Sequence, residues 1–89
     1  MTYTVVLLHE KDGRYSAIAP ALGVASWGHD VPEALAMVAE AIELYLQAMR
    51  DDDEAIPADT NTFEVEMGDA TDALIRKVRV KVPAEVRVA

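Results

Sequence analysis

Residues 2–20, TYTVVLLHEKDGRYSAIAP, decide the fold. Thr2 to His9 is rich in β-branched and aromatic residues, the composition of a strand. Glu10-Lys11-Asp12-Gly13 carries an Asp-Gly turn, and Arg14 to Pro20 resumes as a second strand, so the stretch reads as a β-hairpin. Successive strand residues point to opposite faces, which sends Val5 and Leu7 one way and Val6 and Leu8 the other. Both faces of the first strand are therefore apolar and both need cover. Ala21-Leu22-Gly23 breaks the run, and Val24 to Gly28 is a third short strand.

One helix is available as cover. Asp30 has the chemistry of an N-cap, Glu33 stands three residues later as in a capping box, and Pro32 lies in the first turn. From Val31 to about Arg50 the chain is dense in strong helix formers. Asp51-Asp52-Asp53-Glu54 then opposes the helix dipole, and fraying is expected there. At 100° per residue Leu35, Val38, Ile42, Tyr45, Leu46 and Met49 share one arc, the stripe expected to lie on the sheet. Glu33, Glu40, Glu43, Gln47 and Arg50 face water. A flank of Ala34, Met37, Ala41, Leu44 and Ala48 implies burial against a second copy of the chain or a partner protein, the alternative being that Met37 and Leu44 are ordinary edge-of-core residues. With one helix for two apolar sheet faces, homo-oligomerisation (a dimer or tetramer) is the expected answer, and Met37, Ala41, Leu44 and Ala48 are the candidate self-association residues.

Beyond the helix, Ala55 to Asn61 is a loop. Thr62 to Met67 alternates Phe63, Val65 and Met67 against Glu64 and Glu66, a one-sided strand. Gly68 to Thr71 turns the chain, Arg76 to Val82 alternates valines with Lys77, Arg79 and Lys81, and Pro83 stops it. The expected order is β-β-β-α-β-β. This is an α+β fold in which one long helix packs on a small antiparallel three-stranded sheet and further strands follow. Residues 1–67 form the α+β domain, and residues 68–89 a basic strand or tail of the same domain.

The 89 residues include sixteen acids and eight bases, a net charge of −8, which does not favour nucleic acid as a partner of the whole chain. Its distribution is lopsided. Residues 1–75 hold fifteen acids and three bases, net −12, whereas residues 76–89 hold five bases and one acid, net +4. Either the two regions have different partners, or the tail pairs with its own body. Arg76, Lys77, Arg79 and Lys81 are the candidates for contact with phosphates.

No cysteine is present, which removes disulfides, thiolate metal sites and a cysteine nucleophile. His9 and His29 do not form a zinc motif, the serines lack a nucleophile elbow, and the glycines build no phosphate loop. No catalytic residue, metal or cofactor is expected. Trp27 reads as core filler, with an interface anchor as the alternative. No apolar run is long enough for a membrane helix and the N-terminus does not read as a secretory signal, so the cytoplasm is the expected compartment.

The hairpin YTVVLLHEKDGRYSAIAPALG, the G-x-D-x-x-E-A-L at Gly28 to Leu35, the A-E-A-I-E-L-Y-L helix centre and Ile56-Pro57 together resemble the HicB family of type II antitoxins. The resemblance runs over residues 3–57, about two-thirds of the chain. It departs at Ala21-Leu22-Gly23, where the family carries a proline-glycine, and at Val24, where a cysteine is frequent. The resemblance implies a partial ribonuclease H-like arrangement without nuclease activity. It also implies a partner, a small basic HicA-type toxin that cleaves messenger RNA and whose active site the antitoxin covers. Val78 to Val86, VRVKVPAEV, resembles the ribbon strand of a ribbon-helix-helix, but two helices do not fit before Ala89, so residues 68–89 are either a tail of the same domain or a truncated ribbon-helix-helix remnant, and a truncated or DNA-incompetent member is expected.

The leading expectation is thus a binding protein, with Glu40, Glu43, Asp51, Asp52, Asp53 and Glu54 facing a basic toxin. The alternatives are a solitary oligomeric accessory protein and a DNA-binding autoregulator using Arg79 and Lys81. An adjacent small basic reading frame distinguishes the first, and steeply salt-dependent promoter binding the last.

Overall fold

A computed structural model describes residues 1–89. Strands β1 (Thr2–His9), β2 (Tyr15–Ala19) and β3 (Val24–Gly28) precede helix α1 (Val31–Asp51), and strand β4 (Asp72–Arg79) follows it. All pairings are antiparallel, in the order β3-β2-β1-β4. The hairpin forms as its sequence dictates. Gly13 N–H donates to Glu10 O at 3.0 Å and Glu10 N–H to Arg14 O at 2.8 Å, with Gly13 at φ 96°, a conformation that glycine adopts without penalty.

The sequence places two strands after the helix; the structure has one, and the sheet has four strands rather than three. Thr62–Met67 is not a strand. Its alternation is real, since Phe63 and Val65 are half-buried and Glu64 and Glu66 exposed, but its backbone pairs with no other strand. The strand after it begins at Asp72, not Arg76, and ends at Arg79, because it pairs with β1 from His9↔Asp72 to Thr2↔Arg79.

The helix lies on one face of the sheet. Tyr3, Val5 and Leu7 of β1 and Ala17 and Ala19 of β2 meet Ala34, Val38, Ile42 and Leu46 of α1, all fully buried. Each large aliphatic side chain among them contributes about 1.5–3 kcal/mol through burial. Ala34, placed on the flank by helical periodicity, belongs to this core, whereas Tyr45, placed in it, is exposed. Gly28 is the reason at the N-terminal end. A Cβ at Gly28 would stand 2.8 Å from Ala34 Cα, so the missing side chain lets the helix start close to β3 and buries Ala34 there.

Both helix ends are defined. Asp30 Oδ1 accepts from Glu33 N–H at 2.8 Å, and Glu33 Oε1 accepts from His29 N–H at 2.8 Å, a capping box reaching one residue further back than usual. At the other end Glu54 N–H reaches Met49 O at 2.9 Å and Asp53 N–H reaches Arg50 O at 3.0 Å, with Asp53 left-handed at φ 54°. That is a Schellman motif with aspartate in the usual glycine position. The acidic run therefore closes in a defined cap instead of fraying.

Two irregular segments complete the burial. Beyond Val80, which joins the core, residues 81–89 leave the sheet and return along the helix side, where Val82 and Val86 pack against the core and Ile56 bridges Val88. Glu43 Oε2 accepts from Lys81 N–H at 2.7 Å. Residues 58–67 form a strap over the opposite face of the sheet. Its first anchor is Asp59, which accepts from Thr4 N–H at 2.9 Å and Thr4 Oγ1 at 2.7 Å. Phe63 shares a groove with Ile18, and Thr71 N–H donates to His9 O at 2.8 Å beyond its far end. Val6 and Leu8, which point away from the helix, are buried on this face. The strap thus supplies the second cover that the sequence assigned to another copy of the chain.

Candidate protein-binding surface

The outward side of α1 carries the most exposed large hydrophobic residue of the molecule, Leu44. Leu44 is 61% exposed and Met37 44%, with Ala48 exposed and Ala41 half-buried beside them. Leu44 follows Met37 by seven positions, two helical turns, so they form one row. Glu33 and Glu40 run alongside that row, and both are exposed. An apolar centre with a charged margin is the layout of a protein–protein contact.

The remaining acids of the expected toxin surface have mixed surroundings. Asp52 and Glu54 stand exposed at the helix end. Asp51 Oδ1 lies 3.0 Å from Arg50 Nη2, and Asp53 accepts from Arg87 Nη2 through its carbonyl at 2.9 Å. Glu43 is half-buried against Lys81. Glu40, Asp52 and Glu54 are therefore the acids of this set with no side-chain partner in the chain, and fully exposed Asp53 has only Arg87, 3.7 Å away.

The basic residues are divided by the strand alternation. Lys77 and Arg79 share the strap face, opposite Thr4 and Thr2, and Arg76 points to the helix face, opposite Val5. Lys77 Nζ donates to Thr4 Oγ1 at 2.5 Å and lies 3.1 Å from Asp59 Oδ2. Arg76 Nη1 donates to the carbonyl of its own neighbour, Ile75, at 3.0 Å. Arg79 and Lys81 are exposed. Lys77–Asp59 and Arg87–Asp53 are pairings of the basic end with the acidic body.

Asp59 ties these regions together, and no sequence signal marks it, since a lone aspartate in a proline-containing loop is ordinary. Burial pushes its carboxyl up, but the bonds from Thr4 N–H, Thr4 hydroxyl and Lys77 outweigh it and hold the group below the usual carboxylate range. Next to it, burial and then the Asp59 charge raise the Tyr3 phenol, whose hydroxyl donates to Pro57 O at 2.5 Å.

Trp27 is not core filler. It is 47% exposed on the strap face, opposite Ser16, with the Arg14 guanidinium 5.0 Å from its ring centroid and His29 edge-on at 5.2 Å. The helix covers the other side of β3. His9 stacks flat on Tyr15 at 4.3 Å, and His29 Nδ1 lies 2.8 Å from Glu33 Oε1. The two histidines thus sit apart, each with its own neighbour. No helix is long and apolar enough to cross a membrane.

Known proteins resemble this chain in sequence. A UPF0150 protein of Thermoplasma acidophilum is 38% identical over 60 residues, covering 66% of this chain and 87% of that protein. Another, from Synechocystis, is 41% identical over 56 residues, covering 62% of this chain and 71% of its own length. The family model described as HicB_like antitoxin of bacterial toxin-antitoxin system matches residues 3–85, from β1 through β4 to the returning C-terminal segment. With that match spanning nearly every element of the fold, the chain belongs to the HicB-like antitoxin family.

Proposed function

We propose that the protein neutralises a small basic toxin of HicA type, an mRNA-cleaving nuclease, by covering its active site with the outward face of α1. The observation that carries this reading is the exposed Met37–Leu44 row bordered by Glu40 and continued by Asp52 and Glu54. Apolar centres hold a complex together, whereas charged margins steer encounter and select the partner. In this reading Met37, Ala41, Leu44 and Ala48 serve the toxin rather than a second copy. Glu43 is tied to Lys81 N–H and Asp51 to Arg50, while Asp53 closes the helix end beside them. The protein itself contributes binding, not catalysis, and acts in the cytoplasm, where messenger RNA is cleaved.

Co-expression with the adjacent small basic reading frame tests the proposal. Growth rescue with a stoichiometric complex is expected. Reversal of Glu40, Asp52 and Glu54 to lysine should slow association and flatten its salt dependence, while Leu44→Ala should speed dissociation. A complex indifferent to those reversals and to replacement of Asp51–Glu54 by serine would overturn the assigned surface. A neighbour that is harmless or ignores the protein would overturn the toxin pairing and leave an oligomeric accessory protein. Lys77 is engaged within the chain by Thr4 and Asp59, and the basic strand is assigned no role toward DNA. A promoter complex weakened by Arg79→Ala and Lys81→Ala would reverse that assignment.

A further inference from the structure

The outer edge of β4 is an open strand edge eight residues long. Met1 and Val80 exchange backbone bonds, Val80 N–H to Met1 O at 2.8 Å and the Met1 amino group to Val80 O at 3.3 Å. Antiparallel alternation from that pair directs the N–H and C=O groups of Arg76, Leu74 and Asp72 toward β1. Those of Ala73, Ile75, Lys77 and Arg79 point away from the sheet. Two of these outward groups are occupied by side chains of the strand itself. Asp72 Oδ1 accepts from Ala73 N–H at 3.0 Å, and Arg76 Nη1 donates to Ile75 O at 3.0 Å. Ile75 is 58% exposed on the strap face.

We propose that β4 pairs with β4 of a second copy about a two-fold axis perpendicular to the sheet, in the register that sets Ala73 opposite the partner's Ile75. The symmetry keeps the helix on the same side in both copies, so opposed residues must share a face. In this register Ala73 N–H meets the partner's Ile75 carbonyl and Ile75 N–H meets the partner's Ala73 carbonyl, and the axis repeats both bonds. Leu74 faces Leu74, and Asp72 stands directly opposite the partner's Arg76, twice. The two side chains that now occupy the edge are thereby released to each other when backbone replaces them. A slip of two residues either way sets Asp72 against Val78 or Leu74 and loses both ion pairs. Charge complementarity thus selects one register, and the result is a continuous eight-stranded sheet in which Ile75 packs beside Ala73 of the second copy. This contact lies on a different element from the toxin surface and does not depend on it.

The test is the mass of the full chain in solution across a concentration series, with far-UV circular dichroism to check folding. A dimer is expected. Asp72→Arg alone and Arg76→Asp alone should each weaken it roughly tenfold or more, because each sets like charges opposite one another twice. The double exchange, Asp72→Arg with Arg76→Asp, should restore it. Ile75→Pro removes an outward N–H that β1 does not use, so it should give a folded monomer. Hydrogen exchange at the Ile75 amide should slow on dimerisation. A single-chain mass at every concentration, or a dimer that survives Ile75→Pro, would overturn the proposal. Single reversals that weaken the dimer without rescue by the exchange would overturn the register.

Discussion

Removing the Asp59 carboxylate should loosen the strap and cost a large part of the stability. In Asp59→Ala, the buried Thr4 N–H loses its acceptor, and β2 offers no replacement because its pairing with β1 begins only at Val6↔Ile18. A stranded buried donor costs about 1–3 kcal/mol. The Thr4 hydroxyl loses a charge-assisted bond as well, and the pair with half-exposed Lys77 adds about 0–1 kcal/mol. Together the expected loss is roughly 2–4 kcal/mol, against a total of about 4–13 kcal/mol for a chain of this length. Urea unfolding with a slope of about 1 kcal/mol per M should show a midpoint lower by roughly 2 M or more. Amide exchange at Thr4 should accelerate most. The acid side gives an independent check. Asp59 titrates below its unfolded value, so its contribution is complete above the ordinary carboxylate range and is lost as pH falls through the folded value. The stability gap between wild type and Asp59→Asn should therefore narrow in acid. A loss below about 0.5 kcal/mol, or a gap unchanged through acid, would refute the role given to this residue.

Gly28→Ala should destabilise by about 1–3 kcal/mol, because its Cβ meets helix backbone at 2.8 Å and not a movable side chain; thermal unfolding measures it. Asp30→Ala removes the N-cap acceptor of Glu33 N–H and should cost about 1 kcal/mol by the same measurement. Asp53→Gly should instead stabilise by about 0.5–1 kcal/mol in denaturant unfolding. It relieves a left-handed aspartate and removes an acid from a helix C-terminus, and it keeps the carbonyl that Arg87 uses.

What could be read in advance was local. The Asp-Gly hairpin, the Asp30 cap and the helix follow from neighbours within a few residues of each other, and they stand where those neighbours put them. The segment Thr62–Met67 shows where that reading stops. Its period of two records that Phe63 and Val65 turn inward, which a strap on a sheet requires as much as a strand does, and nothing nearby states that no partner strand exists. Asp72-Ala73-Leu74 has weak strand chemistry and becomes strand because β1 is long enough to pair with it. At the binding surface, the exposed Met37–Leu44 row was legible because helical geometry is regular. The separation of open acids from committed ones was not, since Glu43 and Asp53 are claimed by residues some forty and thirty positions away.

The pairing of β1 with β4 has a kinetic consequence. It joins Thr2 to Arg79 and Tyr3 to Val78, nearly the whole length of the chain. Loop closure over such a span comes late, after the hairpin and helix have formed from contacts close in sequence. During synthesis β1 emerges first and acquires β2 early, yet its other edge stays bare until residues 72–79 follow it out. A nascent chain in which β1 has emerged and β4 has not therefore displays an unpaired strand edge on a strongly apolar strand, and shielding it waits on residues 72–79.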